Sequence, residues 1–205
     1  MIQGSPEWFA ARYGKFTASR FAALMARTKS GPSTSRANLL TMLAVERLTG
    51  KPVETYSNAA MQRGTELEPE ARIAYEQRTG IFVEEVGYIP HPTMRHVGMS
   101  PDGLVGDDGL LEIKCPEAMA KHLEALRSGS HAVEYRWQVQ GQMWIAERAW
   151  CDVVSYDPRF PEGLRLAITR VVRDEPAIAD LERACIEGEA EVCAILADLN
   201  KLEIR

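Results

Sequence analysis

Two acids and a lysine fall close together in Ser100-Pro101-Asp102-Gly103, the turn Gly106-Asp107-Asp108-Gly109, and Leu110-Leu111-Glu112-Ile113-Lys114-Cys115-Pro116. Side chains alternate along a strand, so Glu112 and Lys114 share one face while Leu111, Ile113 and Cys115 share the other. With a three-residue loop Asp107-Asp108-Gly109 and Gly109 left-handed, Asp102 lies opposite Lys114 on the same face. A two-residue loop breaks that parity, so the arrangement requires an odd-length loop or a bulge. Such a constellation at a strand end suits one or two Mg²⁺ ions, which prefer hard oxygen ligands. The chemistry is then phosphodiester hydrolysis. An ion held by Asp102, Glu112 and the backbone carbonyl of Ile113 would acidify a water, and a second about 3.5–4 Å away would stabilise the leaving oxygen. Lys114 would hold or deprotonate the water. The Glu-x-Lys triplet alone equally describes a solvated, charged strand face.

The elements that must position these groups read as follows. Helices are expected at Pro6–Arg12, Thr17–Ala26 and Ser35–Leu48, the last stopped by Thr49-Gly50 and Lys51-Pro52. Thr28–Thr34 reads as a mobile basic loop. A helix over Pro69–Arg78 stops at Gly80. Strands are expected at Ile81–Ile89, Val97–Val105, Leu110–Cys115, Trp150–Tyr156 and Leu164–Val172. Helices Glu117–Arg127 and Val133–Glu147 separate the third strand from the fourth, and an amphipathic helix over Glu175–Leu199 closes the chain. The pattern predicts an α/β or α+β fold, a sheet flanked by helices, in one domain over residues 1–205.

Composition narrows the classes. At 205 residues, 45% hydrophobic and 26% charged, the chain is long enough for a core that needs no disulfide or structural metal. Cys115, Cys151, Cys185 and Cys193 form no C-x-x-C pair and read as reduced core residues. No membrane-length apolar run appears, and the first six residues lack the basic and apolar regions of a secretory signal, so a cytoplasmic location is expected. The four histidines show no metal-ligand spacing and no Ser/His/Asp order. The net charge of −5 hides a segregation. Between Trp8 and Val53 eight basic residues face Glu46 alone, whereas nine acids face three bases from Asp174 to Arg205. A basic end binding phosphates, and an acidic end facing solvent or another subunit's basic end, are expected.

Several blocks, in order over roughly residues 5–175, resemble the PD-(D/E)XK nucleases, and among them the phage lambda exonuclease or YqaJ-type recombination exonucleases. They are Trp8-x-x-x-Arg12 with Thr17-Ala18-Ser19, Arg63-Gly64-x-x-x-Glu68 with Ala71-Arg72, Ser100-Pro101-Asp102-Gly103, Leu111-Glu112-Ile113-Lys114-Cys115-Pro116, Gln138-Val139-Gln140-x-x-Met143-Trp144, and Tyr156-Asp157-Pro158-Arg159. The resemblance implies a restriction-endonuclease-like mixed sheet and a Mg²⁺-dependent (Mn²⁺ able to substitute) 5′→3′ exonuclease on double-stranded DNA. It implies release of 5′-mononucleotides from a duplex with a free 5′ end, a homotrimer ring, a single-strand annealing protein as partner, and a phage or prophage origin. Alternatives are an endonuclease of the same fold and a non-catalytic DNA-end clamp.

By this resemblance Glu68 is the first acid, orienting water or completing a metal site. Its local pattern, Thr65-x-x-Glu68 before Pro69, reads as a capping box or helix cap. Gln138 lies beside the metal centre, although Gln138 and Gln142 alone are an ordinary polar stripe. Arg12, Ser19 and Ser100 match a 5′-phosphate pocket, and a guanidinium with hydroxyl donors suits a phosphate. Lys29 stands where the family carries a minor-groove arginine, keeping the charge but losing the planar fork. Met61 stands where a leucine pries apart terminal base pairs; methionine serves as a wedge or as core filler. Trp137 and Trp144, seven apart, share a helix face and read as core.

Overall fold

Proline lacks the N–H that a β ladder needs, and Pro101 divides the apolar run 97–105 accordingly. The computed structural model describes residues 2–29, 31–53 and 59–203. The chain runs α1 (Pro6–Arg12), β1 (Phe16–Thr17), a 3₁₀ turn (Ala18–Arg20), α2 (Phe21–Met25), β2 (Arg27–Thr28), β3 (Gly31–Pro32), α3 (Thr34–Thr49), α4 (Ala59–Thr79), β4 (Val83–Glu84) and β5 (Ile89–Pro90). It continues with β6 (Val97–Met99), β7 (Gly103–Val105), β8 (Gly109–Lys114), α5 (Met119–Ser128), α6 (His131–Glu134), α7 (Arg136–Ala146), β9 (Trp150–Tyr156), a 3₁₀ turn (Glu162–Leu164), β10 (Leu166–Val172) and α8 (Glu175–Glu203).

The main sheet has the order β10-β9-β8-β7-β4, antiparallel except where β8 and β9 run parallel. A smaller sheet orders β1-β6-β5, and β2 pairs with β3 as a hairpin. Helices cover both faces of the main sheet, giving the mixed α+β architecture expected. Leu111, Ile113 and Cys115 pack with Ala71 and Tyr75 of α4 and with Val154 and Tyr156. Leu110 points the other way, into a core with Phe21, Leu43, Met143 and Leu181. Burial on both faces explains why Leu110 and Leu111, on opposite faces of β8, are both apolar.

Several expectations are corrected. The expected strand 81–89 is two short strands in different sheets, as is 97–105. The expected helix 17–26 begins with a β strand, because Thr17 is drawn into a parallel ladder opposite Gly98 before a 3₁₀ turn leads into α2. The loop 28–34 contains the β2–β3 hairpin and the start of α3, capped by the Ser33 side chain accepting from Arg36 N–H. Pro69 lies inside α4, so Thr65 and Glu68 are mid-helix and cap no terminus; the helix forgoes one i→i−4 bond there. The expected helix 133–147 breaks at Tyr135. Cys193 is exposed, the other three cysteines buried, and all four are free.

Part of the charge segregation is neutralised inside the chain. Arg36 and Arg47 of α3 make bidentate pairs with Glu191 and Glu189 of α8, the Arg47–Glu189 contacts at 2.8 and 2.6 Å. The acidic end therefore faces the basic end of its own chain. Glu189 and Glu191 are held below the ordinary carboxylate range: burial opposes this at Glu189, but the Arg47 bonds outweigh it, and at Glu191 the Arg36 bonds dominate. A lowered carboxylate pKa contributes stability that is complete above the unfolded value and lost as pH falls through the folded one. Glu189→Gln is expected to cost on the order of 1 kcal/mol at neutral pH and to flatten the acid limb of a denaturant-monitored stability profile.

Candidate active site

The β7–β8 connection is the odd-length loop Gly106-Asp107-Asp108, with Gly106 left-handed at φ 54°. Gly103 pairs with Leu111 and Val105 with Gly109. The shared face expected for Asp102, Glu112 and Lys114 is preserved, but the register places Asp102 across from Glu112 instead of Lys114. Gly109 pairs within the ladder, and only a residue without a side chain fits there, since a Cβ would lie 2.2 Å from the Trp150 ring.

Asp102 sits immediately before β7 begins. Its Oδ2 accepts from Ile113 N–H at 2.5 Å, and its own N–H donates to Leu111 O. The N–H and C=O of one strand residue face the same edge, so the Ile113 carbonyl opens beside Asp102. Glu112, 2% exposed, accepts at Oε1 from Lys114 Nζ and from Gln138 Nε2 (2.6 Å), and at Oε2 from Gln142 Nε2 (2.6 Å). Lys114 Nζ also lies 4.3 Å from the centre of the Tyr135 ring, at the break between α6 and α7. Glu68, on α4, is bound by Arg72 at 2.6 Å, and Arg72 reaches Glu85 at 2.8 Å.

The carboxylates repel one another. Burial pushes Asp102 well above the usual carboxylate range, with Glu112 and Glu68 adding to the rise. Burial likewise raises Glu68; Arg72 opposes it, and Glu112 and Glu85 reinforce it. Burial disfavours the Lys114 ammonium, but Glu112 and Asp102 outweigh it and hold its pKa above the ordinary lysine value. Among the described residues no three His, Cys, Asp or Glu side chains form a ready cage. Two carboxylates and a carbonyl fit a divalent ion whose shell is completed by water and substrate phosphate, as Mg²⁺ commonly requires.

A second cluster adjoins the first. Arg12 Nη1 donates to Ser100 Oγ at 2.8 Å and its Nη2 to Ser19 Oγ at 3.5 Å, while Trp8 Nε1 donates to Ser100 Oγ at 2.9 Å and the guanidinium lies over the Trp8 ring. Among the described residues Arg12 has no carboxylate partner. Burial, with Arg20 nearby, pushes its pKa down to about 10. A desolvated cation with hydroxyls around it is a receptor for an anion. The cleft between the clusters, about 630 Å³, is lined by Trp8, Phe9, Glu68, Arg72 and Asp102 among others.

The structure thus brings together Asp102, Glu112, Lys114 and Gln138, places Glu68 within their field, and gathers Arg12, Ser19 and Ser100. Lys29 is exposed beside the β2–β3 hairpin, away from these contacts. Met61 is on α4, but its side chain lies outside the described residues. Sequence reasoning passed over Gln142, Arg72, Trp8 and Tyr135 as members of the site. The spacing of Gln138 and Gln142, one turn apart on α7, was the available signal for Gln142.

Residues 7–149 match the YqaJ-like viral recombinase domain, and the chain belongs to that family. It is 48% identical to the alkaline exonuclease LHK-Exo from Laribacter hongkongensis, over 98% of both chains with a TM-score of 0.89, and matches the crystal structure of LHK-Exo in complex with dAMP equally well. A phage-related exonuclease from Haemophilus somnus 129PT shares the fold at 15% identity, with a TM-score of 0.75 over 90% of this chain and 96% of that one. A comparison with curated proteins gives no match.

Gln142→Leu removes a donor from a buried carboxylate oxygen. A stability loss of about 1–3 kcal/mol is expected in urea titration, and an unchanged midpoint would contradict the Gln142–Glu112 bond.

Proposed function

We propose that the protein is a divalent-metal-dependent exonuclease that degrades one strand of duplex DNA from its 5′ end. The observation that carries this reading is the placement of Ser100 and Asp102, two residues apart, in an anion-receptive pocket and in the carboxylate–lysine cluster respectively. A strand terminus seated at Arg12 thereby brings its first phosphodiester to Asp102 and Glu112. Family membership and the 48% identity to an alkaline exonuclease support the activity class. The dAMP complex of that relative supports a mononucleotide product.

Asp102, Glu112 and the Ile113 carbonyl would hold the metal, with Glu68 completing its surroundings; Mg²⁺ is the proposed ion and Mn²⁺ a substitute. Bound there, it supplies Lewis-acid polarisation of the phosphate and a more acidic water. The chain's own groups do the rest. Gln138 and Gln142 fix the rotamer of Glu112, so its carboxylate is already oriented before substrate arrives. Lys114 Nζ, anchored on Glu112 and Tyr135, offers a donor to the attacking water or to the phosphate charge that grows in the transition state. Arg12, Ser19 and Ser100 grip the terminal phosphate and set the register of cutting.

Family membership also supports a ring-shaped homotrimer threading the duplex and a single-strand annealing protein that takes the exposed 3′ strand. Arg36, Arg47, Glu189 and Glu191, already paired between α3 and α8, add nothing to a charge argument for the ring.

The test is nucleotide release from linear duplex labelled at either end, with Mg²⁺ and with EDTA, beside a closed circle. Metal-dependent release from 5′ ends with the circle intact is expected, and Asp102→Ala or Lys114→Ala should abolish it without unfolding the protein. Cutting of the circle would instead indicate an endonuclease, and metal-independent binding without release a clamp.

Arg12→Ala is expected to slow degradation of 5′-phosphorylated duplex by tenfold or more while changing 5′-hydroxyl duplex much less, since one charge-assisted contact is lost. Equal loss on both ends, measured in the same assay, would reassign Arg12 to general DNA binding.

A further inference from the structure

At the opposite side of the carboxylate cluster lies an arrangement that the mechanism above does not use. Asp157 is fully buried just beyond β9, and two arginines converge on its single charge. Arg159 takes most of it: Nε donates to Oδ1 at 2.8 Å, Nη2 to Oδ2 at 2.6 Å, and the Arg159 backbone N–H to Oδ1 at 3.1 Å. Arg159 Nη2 further donates to Glu117 O at 2.9 Å, tying down the segment that follows β8. Its Nε and Nη2 are thereby spent on structure.

Arg63 has only the long arm of the cluster, Nη2 to Asp157 Oδ1 at 3.3 Å. Its Nε is buried and has no acceptor among the described residues. A buried donor without a partner is costly, and two guanidiniums against one carboxylate leave an uncompensated positive charge. That charge lies at the catalytic end of β8. The Cys115 thiol, one residue past Lys114, is in the electrostatic field of Arg63 and Asp157 and also of Asp102 and Glu68. Cys115 therefore lies between a cluster with excess negative charge and one with excess positive charge. Arg12 and Ser100 occupy the far side of Asp102.

We propose that Arg63 binds a backbone phosphate of the strand being degraded, one linkage beyond the bond that is cut. This rests on the exonuclease reading and extends it. The terminal phosphate is held at Arg12, the cleaved linkage lies at Asp102 and Glu112, and the next linkage supplies the acceptor that Arg63 Nε lacks. Asp157 orients the guanidinium, and Arg159 keeps Asp157 from neutralising it fully.

The test is a double-mutant cycle between protein and DNA. Linear 5′-phosphorylated duplexes carry either ordinary linkages or one uncharged methylphosphonate at the second linkage from the 5′ end, with wild-type and Arg63→Gln proteins compared on both. Wild type is expected to lose about tenfold in kcat/KM on the modified duplex. Arg63→Gln should lose a similar factor on the ordinary duplex and little more on the modified one. The slope of DNA affinity against salt should fall by about one for Arg63→Gln. Wild type indifferent to the methylphosphonate, or two losses that multiply, would overturn the proposal. Should Arg63→Gln not fold, Arg63→Lys carries the same cycle, since a retained charge without the fork should give a partial loss and a reduced methylphosphonate penalty. Failure of wild type to release nucleotides from ordinary duplex would instead overturn the exonuclease reading itself.

Discussion

The interruption of one extended segment at Ser100-Pro101-Asp102 is the constraint on which the site depends. Before the interruption β6 belongs to the small sheet, and after it β7 belongs to the large one. The parallel pairing of Phe16 and Thr17 with Val97 and Gly98 brings the start of the chain alongside, and Ser19 and Arg12 with it. Gly98 permits this because the Tyr88 hydroxyl occupies the space where a Cβ would stand. After the interruption, the ladder to β8 sets Asp102 against Glu112. Two residues of backbone thus tie the anion-receptive pocket to the carboxylates, and neither can drift without the other.

Electrostatics are handled differently at the two kinds of buried charge. Structural charges are closed pairs: Glu46 accepts from Gly14 N–H and both terminal nitrogens of Arg20, and Asp152 is satisfied by Tyr75 and Arg170. Along the cleft the accounts stay open. Asp102 and Glu68 repel Glu112, Arg12 has hydroxyls but no described carboxylate, and Arg63 retains a buried N–H without an acceptor. Buried imbalance costs stability, so its concentration around one cleft marks where ligand charge is accommodated.

Much of this was legible in the residues. Trp150–Tyr156 reads correctly to its ends because a run rich in apolar and β-branched residues stops at Asp157-Pro158, and the shared face of Asp102, Glu112 and Lys114 follows from strand parity. The register did not follow, because parity is indifferent to a shift of two; here Gly109 joins the ladder beneath the Trp150 ring. Pro69 reads as a helix start because proline is favoured at that position, whereas here tertiary packing of Ala71 and Tyr75 carries the helix through it. Gln142 was only partly legible: its spacing puts it on the helix face of Gln138, but a glutamine stripe facing water and one facing a buried glutamate have the same spacing. The pairing of two of the tail's acids, Glu189 and Glu191, with α3 was not legible either, since a run of one sign does not say whether its complement is in the same chain.

The parallel pairing of β8 with β9 carries a kinetic consequence. Antiparallel neighbours can close through a short turn, but parallel ones need a long crossover, here the whole of α5, α6 and α7. Such non-local closure is slow, because loop entropy is lost before the contacts form. Gln138 and Gln142 arrive on that crossover, so Glu112 gains its amide donors only once α7 has docked. A β7–β8 hairpin formed before that docking holds Asp102 on Ile113 and Lys114 on Glu112, but leaves Glu112 without either glutamine. The orientation of Glu112 is therefore a late product of folding, completed only when the crossover has packed against β8.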